Sequence, residues 1–75
     1  MPTIRRIFFY AGDGTEPRHV HVQRKGMVAK IWLNPVRLHS SGGFRPPEIG
    51  KVLAIVEEYE AELLEAWHDY FGGRY

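Results

Sequence analysis

No cysteine occurs among the 75 residues, which excludes disulfides and thiolate metal sites and fits a reducing compartment. Long apolar runs are missing as well. The longest, IFFYA at 7–11 and VLAIV at 52–56, fall far short of the about 20 residues a membrane-spanning helix needs. Arg5 and Arg6 interrupt the first stretch at once, so no signal-peptide apolar region forms there. A cytoplasmic protein with no membrane contact is expected.

Negative charge is scarce in one half only. Residues 1–47 carry Asp13 and Glu16 against eight Lys/Arg, whereas residues 48–75 carry seven Asp/Glu against Lys51 and Arg74. The net charge of +1 therefore hides a basic half joined to an acidic half. That asymmetry suits an anionic partner for the basic half. It equally suits attraction between the halves, within the fold or between copies.

The acidic half has helical periodicity. Ile49, Val52, Leu53, Val56, Tyr59, Leu63, Trp67 and Tyr70 recur at that spacing, with glutamates on the opposite side. Pro46-Pro47 suits a first turn that needs no amide donors, Glu48 favours the positive end of the dipole, and Gly72-Gly73 supplies the stop. The pattern predicts one helix over 47–71, about 37 Å long. A strand of the basic half reaches only about 25 Å, so the helix end should overhang the sheet. That end carries Trp67, Tyr70, Phe71 and Tyr75, a candidate protein interface covered by a second chain.

The basic half reads as β structure. Ile4–Tyr10, Arg18–Arg24 and Met27–Leu33 are predicted strands, and Val36–His39 a short fourth. AGDGTEP is a loop, and SSGGFRPP leads into the helix. Lys25-Gly26 is a two-residue hairpin turn. With that turn, Val22 faces Ala29, Val20 faces Ile31, His21 faces Lys30 and His19 faces Trp32. Val20, Val22, Ala29 and Ile31 then form one apolar face for the helix. His19, His21, Lys30 and Trp32 share the other face with aromatic residues of the first strand.

Three readings of that second face follow. His-x-His on a strand sets two imidazoles about 7 Å apart at Cα, a spacing open to zinc. The third ligand would come from Asp13, Glu16, His39 or His68, and the sequence places none of them nearby, so the expectation is no metal and no cofactor. Arg18, His19, His21, Lys30 and Trp32 together combine phosphate attraction, a titrating acid/base and a stacking ring. That is a candidate nucleic-acid surface, or one for metal-independent RNA cleavage by general acid–base chemistry. The third reading is a sheet face sealed by a second copy.

The combination of MPTI, EPRHVHV, GGFRPPEI and LLEAW resembles domain-of-unknown-function family 4160, a family of short bacterial proteins. The likeness runs over nearly the whole chain and is most specific at Pro17-Arg18-His19-Val20-His21-Val22 and at Trp67. Members of that family often carry an acidic-His or Asp-His pair just before the proline, where this chain reads GDGTE. The resemblance implies a small α+β domain encoded beside another short protein, an arrangement like a toxin–antitoxin pair. It carries over no activity or catalytic residue.

The expected architecture is a single α+β domain: a sheet half at 1–39, a linker at 40–46 and the helix at 47–71. Its sheet has three or four antiparallel strands, with the helix packed on one face. The expected function is an interaction module, self-associating or joined to a small protein partner, with enzymatic activity left open. Binding or cleavage of RNA by the His19/His21 face is the alternative.

Overall fold

The computed structural model describes residues 6–72. Four antiparallel strands form one meander sheet in the order β1-β2-β3-β4. These are β1 (Arg6–Phe8), β2 (His19–Arg24), β3 (Met27–Trp32) and β4 (Arg37–Ser40), followed by helices α1 (Pro46–Glu58) and α2 (Glu60–Phe71). A 3-10 turn, Ala11–Thr15, lies between β1 and β2. Ile4, Gly73 and Tyr75, which carry parts of the predicted elements and interface, lie outside the described residues. Among the described residues no helix is long and apolar enough to cross a membrane.

The central hairpin has the register that alternation predicts. Arg24 pairs with Met27, Val22 with Ala29, His21 with Lys30, Val20 with Ile31 and His19 with Trp32. The reversal is made by Lys25, whose φ is +54°, a left-handed conformation that residues other than glycine and asparagine adopt reluctantly. β1 adds Ile7 opposite Val22 and Phe8 opposite His21. β4 completes the sheet with an irregularity between Lys30 and Ile31.

Val20, Val22, Ala29 and Ile31 are excluded from solvent and pack with Leu33, Phe44, Val52 and Val56. The valines of α1 thus cover the apolar face, one helical turn apart. Two contacts of Glu48 set the start of this helix. Its Oε1 accepts from the Arg45 amide at 3.1 Å, and its Oε2 accepts from Arg24 Nη1 at 2.9 Å. The first contact satisfies an amide with no partner inside the helix, and the second ties the helix start to the end of β2.

The helical region bends, which corrects the single straight helix predicted over 47–71. Tyr59 stands between α1 and α2 with ψ of 14°. Backbone bonds nevertheless run through the junction, from Tyr59 N to Ile55 O (3.2 Å) and from Leu63 N to Tyr59 O (2.9 Å). No proline or glycine causes this bend. Its anchors are tertiary: the Asn34 amide donates to Glu60 Oε2 at 3.0 Å, and Trp67 is fully buried. Burial of the large Trp67 ring favours this placement of α2. Gly72, with φ of +79°, ends α2, as Gly72-Gly73 predicts.

Candidate functional site on the open sheet face

The face opposite the valine core carries a row of rings. Strand pairing puts Phe8 beside His21, and their rings stack at 5.4 Å. Tyr10 closes on both, 5.2 Å from Phe8 and 4.8 Å from His21. On the other side His19 meets His21 at 5.1 Å and Trp32 at 5.6 Å, and Trp32 meets His39 at 5.0 Å. Six rings from four strands and one loop thus run across the sheet. The Arg6 guanidinium lies 4.2 Å from the Phe8 centroid, and Lys30 Nζ lies 4.9 Å from that of Trp32, both within cation–π range. Arg37 stands opposite Trp32. The described residues enclose no pocket, so the face is a shallow platform.

His19 and His21 share this face but not its exposure. His21 is half-buried, whereas His19 is fully buried. Trp67, reaching in from α2, covers His19 with ring centroids 5.3 Å apart. The same tryptophan packs on Phe9 at 5.5 Å and on Phe71 at 4.3 Å. Trp67, expected at an uncovered helix end, is therefore covered by its own chain. Phe71 is half-buried and Tyr70 remains 57% exposed. Arg18 stands one residue before β2, on the alternation of Val20 rather than of His19, and its Nε is buried.

The loop before β2 brings a third group to the histidines. Gly14 lets this loop sit against α2, because a Cβ there would come within 2.7 Å of the Phe71 ring. Asp13 Oδ2 then accepts the Tyr10 amide at 2.7 Å. The same oxygen lies 3.2 Å from Nε2 of His19 and 3.2 Å from Nε2 of His21. Asp13 was one of four acidic or histidine candidates in the sequence, and only the loop's path against Phe71 selects it. Arg6 was legible in principle, since it shares the alternation of Phe8.

Electrostatics follow from these contacts. Burial pushes the His21 imidazole below its ordinary pKa, and the neighbouring Asp13 only partly opposes that. Partial burial pushes Asp13 up, but the Tyr10 amide and then the two imidazoles outweigh it, so the carboxyl lies below its usual range. Glu16 is held low chiefly by its hydrogen bond from Lys30. At neutral pH the face thus presents a carboxylate against a neutral His21. That arrangement can exchange a proton, hold a cation, or orient a polar ligand against the rings.

Residues 5–68 match the family model described as Domain of unknown function (DUF4160). No curated protein matches the chain, and no solved structure does.

Proposed function

The chain belongs to the DUF4160 family, whose description assigns no activity, and from the geometry of its sheet face we propose that it binds single-stranded nucleic acid, RNA foremost. The observation that carries this reading is the unbroken row Tyr10, Phe8, His21, His19, Trp32 and His39. His19 lies buried within the row, and the rings that reach solvent, Tyr10, Phe8, His21, Trp32 and His39, accept any base by stacking, while Arg6, Lys30 and Arg37 meet phosphates. A shallow platform suits an extended polymer better than a small molecule held on all sides.

The test is binding of a fluorescent oligouridylate followed by anisotropy at several salt concentrations. Two or three phosphate contacts predict a slope of log K against log salt of about −1.4 to −2.1, at about −0.7 per contact. Trp32→Ala should weaken binding by about 1–3 kcal/mol through one lost stack. Absent binding, or binding indifferent to salt and to Trp32, would overturn the reading.

A second reading, self-association or docking of a small partner as in a toxin–antitoxin-like pair, is favoured by β4. This strand lies at the sheet edge with all four residues exposed, Leu38 among them. Such an edge is open to pairing with another chain, and Tyr70 adds an exposed ring. Sedimentation velocity at high concentration tests it, and a clean monomer removes the self-associating form.

A further inference from the structure

His19 has a close partner at each ring nitrogen, and together they define an unusual site. Its Nδ1 lies 2.9 Å from the Pro17 carbonyl oxygen. A carbonyl only accepts, so Nδ1 carries the proton and donates it. In the neutral ring Nε2 then bears a bare lone pair. That nitrogen is buried and makes no hydrogen bond, although a carboxylate oxygen lies 3.2 Å away. Two acceptors in close contact repel each other unless something positive lies between them. His21 Nε2 converges on the same oxygen, and all three ligand atoms lie within 4.8 Å of one another.

We propose that Asp13, His19 and His21 form a binding site for a divalent transition-metal ion of the zinc class. Two ligand atoms on one tetrahedral ion, each about 2.0–2.1 Å from the metal, are separated by about 3.3 Å. Both nitrogen–oxygen separations here are 3.2 Å. The surroundings have the character that such ligands require. A carbonyl orients His19, the Tyr10 amide orients Asp13, and Trp67 shields the buried side. Two imidazoles and one carboxylate favour zinc, cobalt or nickel over magnesium or calcium, which prefer oxygen alone. Three protein ligands leave a position open on the side of His21 and Asp13, which keep some exposure. This site stands independently of the nucleic-acid reading, since the outer rings of the platform need no metal to stack.

The experiment uses the full chain stripped with a chelator and then titrated with zinc by calorimetry and with cobalt(II) by visible absorption. The expected result is one ion per chain, with intense cobalt ligand-field bands of a site having fewer than six ligands, and no competition from excess magnesium. Loss of groups that merely orient a ligand costs 10–100-fold in affinity. Asp13→Asn and His21→Ala should each therefore weaken zinc binding by more than about 100-fold. His19 is buried, and His19→Ala could unfold the chain, so these two half-buried positions carry the test. His39→Ala should leave the affinity unchanged. Absence of stoichiometric binding by the folded protein would overturn the proposal. Binding abolished by His39→Ala but indifferent to Asp13→Asn and His21→Ala would overturn it too.

Discussion

Replacing Trp67 with alanine separates burial of this ring within one chain from burial between chains. Trp67 is fully buried within one chain, against Phe9, His19 and Phe71. Truncating such a ring leaves a cavity, and Trp→Ala changes in cores cost about 3–5 kcal/mol. A domain of this size has a total stability of about 4–11 kcal/mol. The substitution should therefore remove a large share of it and lower Tm by at least about 12 °C, at about 4 °C or more per kcal/mol. Trp67→Phe keeps an aromatic ring in place and should cost about half as much or less. Thermal melts by circular dichroism, repeated over a range of protein concentrations, read both numbers. The fall should not depend on concentration, because the contacts are within one chain. A loss below about 1 kcal/mol, or one that vanishes at low concentration, would refute that burial and return Trp67 to an interface between chains.

Lys25→Asn should raise stability by about 0.5–1 kcal/mol, because Lys25 holds φ of +54°, which asparagine tolerates better; a melt that shifts down instead would place strain elsewhere. Glu16 should titrate below the ordinary glutamate range in a carbon-detected NMR experiment, chiefly through its hydrogen bond from Lys30, and Lys30→Met should return it toward that range. The sign for stability follows: a depressed carboxyl contributes above its unfolded pKa and loses that contribution as the pH falls through the folded one. An unchanged Glu16 titration in Lys30→Met would remove the pair as the cause.

The hairpin was legible in the residues themselves. Its register depends on strict alternation and on a turn two residues long, so every determinant lies within the stretch 18–33, and the pairing agrees at all six positions of β2 and β3. The valine face and its helical cover follow from the same short periods of two and 3.6. A nucleic-acid or metal role for the histidines was likewise posed by the sequence as a question of what lies near them, without an answer.

Tertiary structure alone decided the rest, because contacts between distant segments leave no local period. Nothing in the Glu57–Glu60 stretch marks a bend, yet Glu60 is held by the Asn34 amide and Trp67 is drawn onto His19. Once α2 takes that path, Phe71 meets Gly14, the loop closes, and Asp13 comes to both imidazoles. The amino-acid order by itself determined which side chains share a face, since alternation is a property of neighbours along the chain. Which of those side chains are buried, and what they face, was set by the gain from burying two large rings of α2, a gain available only when the whole chain is folded.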